Sequence, residues 1–472
     1  MISYEEAIKT LEAHGQSHVL QFWAQLDSAE QVALLAQVES IDFESIASMQ
    51  SMLGKGGGAP TAPTPIEPSP VVELDSLAAC EREHSISDIG AAAIANGQVG
   101  VVLVAGGQGS RLGFDGPKGA YPVACLSDAT LFEVHARKIL ALEHKYNAEI
   151  PFYIMTSQVN DAPTRAFFAE HDNFGLASDR VLFFTQGMWP ALTEEGKLIL
   201  DSPSNIFMSP DGHGGTITAL KQRGMFDDMD RRGINTLFYF QVDNPLVEIA
   251  DPLFIGLHLS KGADVSSKVC AKRDPEEGLG IVAERDGHSM IVEYSELTPE
   301  QMNETLPDGN LKLRFGSVAI HVFSVEFLKK EACAALPLHV AHKKVPCLNS
   351  EGVLTKPSAP NAFKFEKFIF DVLPAAGVAM NVEFAREEEI SPVKNAEGND
   401  SPATSQRDMI LKAARQLEAC GVSIPRDASG VPLFKIEIDP CFGLTPKDLA
   451  EKIGEGFTLD ADMLLSGDED EE

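Results

Sequence analysis

A glycine-rich segment with two cations is the part of this sequence best suited to phosphate chemistry. Residues 101–119 read VVLVAGGQGSRLGFDGPKG, so an apolar run leads into closely spaced glycines and then Arg111 and Lys118. Glycines allow positive φ angles and close approach of a ligand to the backbone. The exposed N–H groups of such a loop form a concavity that binds anions. The segment therefore predicts a phosphate-binding loop.

The overall charge makes this loop a local exception. The 472 residues include 38 basic and 70 acidic ones, a formal net charge of −32. A field of that sign repels nucleic acid and anionic membranes, so we expect neither as a partner. Residues 101–125 carry only Arg111, Asp115 and Lys118, a net charge of +1. An anionic substrate would require such a local excess of cations.

Two common phosphate loops fit the segment less well. A Walker A loop needs Ser or Thr after its lysine, but Lys118 is followed by glycine. A dinucleotide fingerprint has the spacing GxGxxG, and Gly107, Gly109 and Gly113 leave one residue too many in the second gap. The broken spacing therefore disfavours a nicotinamide-dependent oxidoreductase, which remains an alternative hypothesis. Tight binding of NAD would support it.

The elements that must position this loop alternate between strands and helices. Short β-branched and aromatic runs predict buried strands, and amphipathic stretches between them predict helices. The predicted strands are Gly100–Ala105, Phe152–Met155, Val181–Phe184, Thr236–Val242 and Val318–Phe323, and the predicted helices include Thr130–Tyr146 and Thr216–Asp228. This alternation predicts a doubly wound α/β sheet, whose sites lie at the carboxyl ends of strands.

Composition divides the chain into four segments. Residues 1–53 predict a small helical subdomain, and residues 54–70 predict a linker because they contain four Gly and five Pro. Residues 71–400 hold the strand–helix alternation and predict the main α/β domain, which carries the phosphate loop. Residues 401–472 predict a small C-terminal domain, which closes on the acidic tail 468–472.

The cysteines and the apolar runs indicate a cellular compartment. The seven cysteines are scattered and form no Cys-x-x-Cys pair, which favours reduced thiols over a zinc site or disulfides. No apolar run approaches the roughly 18 residues of a membrane span. Residues 1–10 lack the basic and apolar regions of a signal peptide. We therefore expect a cytoplasmic protein.

Beyond the loop, the sequence resembles a known family along nearly its whole length. GGQGSRLG followed by PKG is similar to the nucleotide loop of the UDP-sugar pyrophosphorylases (UDPGP type), with Ser110 where threonine is usual. The closest subgroup is the eukaryotic-type UDP-N-acetylglucosamine pyrophosphorylases. Other segments resemble the family in the same order: HVLQFWAQL, TQGMWPAL, SPDGHGG, VDNPLV, IVEYSEL, FKFEKFIFD and REEEISPVKN.

The resemblance implies a fold and a reaction. The fold is a nucleotidyltransferase variant of the Rossmann-like (GT-A-like) sheet with small N-terminal helical and C-terminal α+β domains. The reaction joins UTP and N-acetylglucosamine 1-phosphate, by in-line attack on the α-phosphate, into UDP-N-acetylglucosamine and pyrophosphate with Mg²⁺. Alternatives are glucose 1-phosphate, a broad range of sugars or, more distantly, a non-catalytic UDP-sugar sensor.

The resemblance also implies roles for individual residues. Those directed at the phosphates are Arg111, Lys118 and Lys394. Those implied at the nucleotide are Gly106, Gly107, Gln186, Met188, Gly214 and Asp243, and those implied at the sugar are His213, Gly280, Glu293, Tyr294 and Ser317. Asp243 would also bind the Mg²⁺. An amide such as that of Gln186 could pair with both the N–H and the carbonyl of uracil.

Two residues depart from the N-acetylhexosamine pattern. His213 stands in DGHGG where asparagine is expected, which is more like the glucose-1-phosphate uridylyltransferases. Ser317 stands where the pattern has an asparagine near the N-acetyl group. One substituent is often worth only about 1–3 kcal/mol of discrimination. These two changes therefore leave the choice of sugar open.

Overall fold

The computed structural model describes residues 2–53, 65–454 and 456–467. Most of the predicted linker 54–70 and the acidic tail 468–472 lie outside these residues. Among the described helices, none combines the length and apolar character needed to cross a bilayer.

The helices follow one another along the chain, with short 3₁₀ turns between some of them. The α-helices are α1 (Tyr4–Ala13), α2 (Ser28–Ser40), α3 (Phe43–Leu53), α4 (Leu74–His84), α5 (Ile86–Ala95), α6 (Leu131–Tyr146), α7 (Asp161–Glu170), α8 (Gly215–Gln222), α9 (Met225–Arg232), α10 (Pro252–Ser260), α11 (Pro299–Asn303), α12 (Val325–Glu331), α13 (Arg386–Glu389), α14 (Pro402–Ala419) and α15 (Pro446–Lys452). The 3₁₀ turns are Ser17–Leu20, Trp23–Gln25, Ser110–Leu112, Lys118–Ala120, Asp172–Gly175, Tyr294–Glu296 and Ile369–Ala375.

The strands range from two to ten residues. They are β1 (Glu67–Pro68), β2 (Val99–Val104), β3 (Phe152–Thr156), β4 (Val181–Thr185), β5 (Met188–Pro190), β6 (Leu192–Thr193), β7 (Leu200–Ser202), β8 (Asn205–Ile206), β9 (Met208–Pro210), β10 (Thr236–Gln241), β11 (Val265–Ala271), β12 (Gly280–Arg285), β13 (His288–Val292), β14 (Phe315–Ser324), β15 (His339–Lys343), β16 (Cys347–Leu348), β17 (Leu354–Thr355), β18 (Ala362–Glu366), β19 (Ala379–Glu383), β20 (Ile436–Ile438) and β21 (Met463–Leu465).

The described chain forms two compact units. The smaller unit takes its residues from 1–64, 187–216 and 335–371. The sheet unit takes its residues from 65–186, 217–334 and 372–472. The predicted division of the chain at residues 53, 70 and 400 stays a prediction.

A ten-stranded mixed sheet is the centre of the sheet unit. Its order is β1-β12-β14-β10-β2-β3-β4, and β11, β13 and β19 join β14, β12 and β11. β10, β2, β3 and β4 are parallel, whereas β14 runs antiparallel to β10. Side chains such as Ile139, Ile154, Phe168 and Phe254 form the core between helices and sheet. The predicted α/β class is confirmed.

The five predicted strands agree with the structure, and one predicted helix does not. The five predicted strands occur as β2, β3, β4, β10 and β14. Thr130 caps α6, as the predicted start of that helix requires, by accepting a hydrogen bond from the Glu133 N–H at 3.2 Å. The prediction of one helix over Thr216–Asp228 is wrong, because Gly224 adopts a φ of +73° between α8 and α9. A left-handed glycine ends a helix at this point.

The smaller unit and the C-terminal residues each have their own core. In the smaller unit, Leu11 and Leu34 of the helices share a hydrophobic cluster with Leu192 and Phe365. In the C-terminal part of the sheet unit, Leu417 of α14 packs with Ile436 of β20.

Candidate functional site

The glycine loop lies at the edge of the sheet where the parallel strands end. Val104 of β2 pairs with Gln241 of β10, so the loop after β2 and Asp243 after β10 emerge at the same edge. Gln186 follows the last residue of β4 and emerges there too. Carboxyl ends of parallel strands are where open α/β sheets place their binding sites. The sheet unit therefore gathers three predicted site segments.

Backbone hydrogen bonds close the loop on itself. The Gly109 N–H donates to the Gly116 carbonyl at 2.9 Å, and the Lys118 N–H donates to the Gly107 carbonyl at 3.1 Å. Asn160, which is fully buried, donates its side-chain amide to the carbonyls of Ala105 and Gly107 at 2.8 and 3.2 Å. No motif in the sequence indicated Asn160, since its role depends on a contact between distant segments.

Gly106 and Gln186, both predicted at the nucleotide, are in direct contact. A Cβ atom on Gly106 would lie 2.9 Å from Oε1 of Gln186. Gln186 is buried, and its backbone N–H donates to the Thr156 carbonyl at 2.9 Å. Glycine at position 106 thus leaves room for the amide of Gln186 to lie against the loop.

Lys118 and Asp243 form an ion pair at the base of the loop. Nζ of Lys118 is 3.0 Å from Oδ2 of Asp243, and the two side chains are 17% and 14% exposed. Burial opposes ionisation of Asp243, but the charges of Lys118 and Lys394 outweigh it and hold the pKa of this carboxyl below its usual range. Arg111 is exposed and makes no ion pair within the described part of the chain. This edge of the sheet thus carries the cations Arg111 and Lys118 and the ionised carboxylate of Asp243.

Lys394 approaches the same carboxylate from another segment. The Val393 N–H donates to the Asp243 carbonyl at 2.8 Å, which places the exposed Lys394 beside the end of β10. Lys394 also lines an open cleft of about 780 Å³, together with Gly278 and Leu279. This cleft therefore extends from Lys394, which is predicted at the phosphates, to the residues that precede Gly280.

The predicted sugar residues of the sheet unit cluster around the start of β12. Gly280 pairs with Ser317 of β14, and a Cβ on Gly280 would lie 3.4 Å from Oε1 of Glu293. Oγ of Ser317 accepts a hydrogen bond from the Ala319 N–H at 3.3 Å, and Ala319 has a φ of +56°. A left-handed alanine is strained, and the pairing of β14 with β11 is irregular at this point, between His321 and Ser317. Tyr294 follows Glu293 and is 47% exposed.

The other predicted residues, Met188, His213 and Gly214, lie in the smaller unit. Nδ1 of His213 accepts from the Ile369 N–H at 3.1 Å, and its ring stacks on Phe368 with centroids 5.2 Å apart. Burial lowers the pKa of His213 to about 4, so the imidazole is neutral. One ring nitrogen and one ring face are thus occupied by the protein itself.

The DGHGG and FEKF motifs form one assembly within the smaller unit. The Gly214 N–H donates to the Lys367 carbonyl at 2.8 Å, and a Cβ on Gly214 would lie 2.7 Å from that residue's backbone. Met188 pairs with Pro210 in a short antiparallel ladder, which brings Met188 beside the same turn. The glycines at these positions permit the close approach of the two backbones.

Asp211 is a buried acid that sequence reasoning missed. It is 5% exposed, Oδ1 has no hydrogen-bond partner in the described structure, and a Cβ on Gly187 or Gly215 would come within 2.6 or 2.1 Å of the carboxylate. Burial raises the pKa of Asp211 from 3.8 to about 6, and the charge of Lys367 only partly offsets this. The ionised form of Asp211 therefore lowers the free energy of unfolding.

We expect Asp211→Asn to stabilise the protein above pH 6. Because the folded-state pKa is raised, the stability that the protonated carboxyl contributes is lost as the pH rises through about 6. The variant should gain about 1–3 kcal/mol at pH 8 and progressively less towards pH 5. Thermal unfolding across this range measures the difference. Glu351→Gln, at an exposed acid of the same unit, is the control, and equal gains at both pH values would contradict the prediction.

A second group of acids lies close to the Asp243 loop. Oxygens of Glu248, Asp251 and Glu389 come within 4.8 Å of one another. The buried ammonium of Lys268 lies between two of them, 3.0 Å from Asp251 and hydrogen-bonded to Glu389. Lys268 thus pairs with two of these carboxylates, and Lys412 pairs with Glu248 at 3.0 Å, so this cluster is an ion-pair network.

Comparison with known proteins supports the resemblance seen in the sequence. Residues 61–403 match the profile of the family described as UTP–glucose-1-phosphate uridylyltransferase (UDPGP). A human protein named UDP-N-acetylhexosamine pyrophosphorylase-like protein 1 is 36% identical, covering 99% of this chain and 98% of that protein. The UDP-N-acetylglucosamine pyrophosphorylase of Saccharomyces cerevisiae is 37% identical over 87% of this chain and 90% of its own.

Solved structures agree with the sequence comparison. The uridine diphosphate N-acetylglucosamine pyrophosphorylase of Trypanosoma brucei superposes with a TM-score of 0.82 and 25% identity, covering 100% of this chain and 99% of that one. A UDP-glucose pyrophosphorylase of Leishmania major gives a TM-score of 0.61 at 17% identity over 88% and 85% of the two chains, which shows the fold alone.

Proposed function

The chain belongs to the UTP–glucose-1-phosphate uridylyltransferase (UDPGP) family, and on that premise we propose that it is a uridylyltransferase that makes UDP-N-acetylglucosamine and pyrophosphate. Its substrates are UTP and N-acetylglucosamine 1-phosphate. The observation that carries the proposal is the Lys118–Asp243 pair beneath the glycine loop, with Lys394 beside it. The charge of this edge of the sheet suits a triphosphate.

The reaction needs alignment and charge neutralisation more than covalent chemistry. A phosphate oxygen of the sugar 1-phosphate forms a bond to the α-phosphorus of UTP, and the bond from that phosphorus to the bridging oxygen breaks to release pyrophosphate. Arg111 and Lys118 bind the phosphates of UTP, and Lys394 offsets the charge of the incoming sugar phosphate. Holding both reactants in line supplies most of the acceleration in such transfers.

Asp243 is the residue that would hold Mg²⁺. Its carboxylate is ionised and lies at the base of the glycine loop. A single carboxylate suits Mg²⁺, which takes its other ligands from phosphates and water. When bound, the ion would neutralise negative charge on the triphosphate. The chain's own part is to keep Asp243 deprotonated, which the neighbouring lysines do.

The same proposal includes a cellular compartment and a set of partners. All seven cysteines lie in described parts of the chain and are free thiols. Free thiols are typical of reducing compartments, and we place the enzyme in the cytoplasm. Its partners are the nucleotide and the sugar phosphate, and the net charge of −32 disfavours nucleic acid and anionic membranes.

One assay separates the candidate functions. The protein is incubated with UTP, Mg²⁺ and a panel of sugar 1-phosphates, and pyrophosphate release is measured. We expect the highest kcat/KM with N-acetylglucosamine 1-phosphate. Release with glucose 1-phosphate alone would favour the alternative that His213 and Ser317 suggest. No release with any sugar would leave the sensor hypothesis, and tight NAD binding would support an oxidoreductase.

We expect Ser317→Asn to raise the preference for the N-acetylated sugar. An asparagine amide offers both a donor and an acceptor to an acetamido group, whereas Ser317 offers one hydroxyl whose oxygen already accepts from the Ala319 N–H. The ratio of kcat/KM between the N-acetylglucosamine and glucose phosphates should rise about 5- to 50-fold. Ser317→Ala is the control for loss of the hydroxyl. An unchanged ratio would remove Ser317 from the sugar pocket.

A further inference from the structure

One face of α14 binds the segment that carries Lys394. Ser405, Asp408, Lys412 and Arg415 are spaced three, four and three residues apart, so they share a face of the helix. Each of the four makes a hydrogen bond to residues 387–391. A helix of the C-terminal region thus contacts this segment along about three turns.

Two of these contacts hold Ser391, and the one from Ser405 is the most buried of the set. Oγ of Ser405 donates to the Ser391 carbonyl at 3.0 Å, and Oγ of Ser391 donates to Oδ2 of Asp408 at 2.7 Å. Ser405 and Ser391 are 0% and 5% exposed. Hydrogen bonds shielded from water fix a backbone more firmly than exposed ones. Ser391 is therefore held on both its carbonyl and its hydroxyl.

The remaining contacts hold the start of the segment. Nζ of Lys412 donates to the Glu388 carbonyl at 2.7 Å, and Nη2 of Arg415 donates to the Glu387 carbonyl at 2.7 Å. Nε of Arg415 also pairs with the Glu388 carboxylate. Side chains of α14 thus donate hydrogen bonds to two backbone carbonyls of the short helix α13.

The opposite side of the segment is bonded to the Asp243 loop. The Ser391 N–H donates to Oδ1 of Asn244 at 3.0 Å, and Nδ2 of Asn244 donates to the Glu389 carbonyl at 2.6 Å. The Val393 N–H then donates to the Asp243 carbonyl at 2.8 Å. Residues 387–393 are therefore clamped between α14 and the end of β10.

We propose that Asp408 is a positioning residue, which through Ser391 sets where Lys394 lies relative to Asp243. The inference rests on the proposed function, because Lys394 matters only if it meets a phosphate. Asp408 and Lys394 line the same cleft of about 780 Å³. Since a displacement of about 1 Å can cost a hundredfold in rate, the loss of one partly buried hydrogen bond at Ser391, three residues before Lys394, can affect catalysis.

The test uses steady-state kinetics of the full chain with its preferred sugar 1-phosphate. Asp408→Ala and Ser391→Ala should each lower kcat/KM about tenfold, the effect of one hydrogen bond to a charged group. Asp408→Asn should retain most activity, because its amide oxygen still accepts from the serine. In a Lys394→Ala background, Asp408→Ala should change kcat/KM less than twofold. Glu418→Ala, which removes another α14 carboxylate paired with Arg426, is the matched control.

The outcomes separate the two proposals. If the unchanged protein releases no pyrophosphate, both the function and this inference fail. If the unchanged protein releases pyrophosphate, two results would overturn the inference alone. In one, the kcat/KM of Asp408→Ala stays within twofold of the unchanged protein. In the other, Asp408→Ala lowers kcat/KM equally with and without Lys394. Thermal unfolding accompanies each variant. If Asp408→Ala does not fold, Ser391→Ala tests the same hydrogen bond, because it removes only one oxygen atom.

Discussion

Lys118→Met should lower kcat/KM for UTP by about 10²- to 10³-fold, the loss expected when one partner of a desolvated charge pair is removed. Two effects add. The phosphates lose a charge-assisted hydrogen bond, and Asp243 loses the cation that lies 3.0 Å from its carboxylate. Initial rates of pyrophosphate release measure the change, and thermal unfolding shows whether the variant is folded.

Lys118→Met should also shift the acid limb of the pH–rate profile to higher pH. The pKa of Asp243 lies below its usual range because the charges of Lys118 and Lys394 outweigh the effect of burial. Without Lys118 that pKa rises, so activity that requires the ionised carboxylate falls off at a higher pH. Lys145→Met is the matched control, since it removes a lysine 2.8 Å from Asp448 outside the candidate site. Equal losses in the two variants would contradict a special role for Lys118.

Asp243→Asn is the second large change, with an expected loss of about 10²- to 10³-fold in kcat. The variant keeps the shape of the side chain but removes the negative charge that would hold Mg²⁺. The Mg²⁺ concentration at half-maximal rate should therefore rise at least tenfold, which a structural role alone would not produce. A titration of rate against Mg²⁺ measures it.

A matched control and a contrary outcome complete this experiment. Asp230→Asn removes an exposed carboxylate that pairs with Lys329, so its rate and Mg²⁺ dependence should stay unchanged. If Asp243→Asn loses rate while its Mg²⁺ dependence matches that of the unchanged protein, Asp243 supports the loop and does not bind the ion. The role proposed for it would then be wrong.

The sequence alone determined the elements and the family. β2, β3, β4 and β10 are recognisable because an unbroken apolar run is what a strand covered on both faces requires. The glycine loop is recognisable because its residues are contiguous and its backbone conformations are local. The α/β class and the family are confirmed, whereas the roles of Arg111, Lys118, Lys394 and the other site residues stay predictions.

Several boundaries inside the fold could not be predicted. Gly224 interrupts a pattern that otherwise predicts one helix, because a single left-handed residue outweighs the periodicity around it. The smaller unit combines three separate stretches of chain, and nothing in the periodicity of any one stretch shows which others share its core. Such associations depend on contacts between surfaces that are distant in sequence.

Only the tertiary structure decided the pairings within the site. Lys118 and Asp243 are 125 residues apart, and their contact exists because β2 and β10 lie side by side and in register. The contact of Gly106 with Gln186, and the hold of α14 on Ser391, arise in the same way. Residue types and spacing along a chain determine local conformation and available chemistry. The distances between reacting groups depend on strand order and packing. Contacts throughout the core stabilise that packing, so no single stretch of sequence determines it.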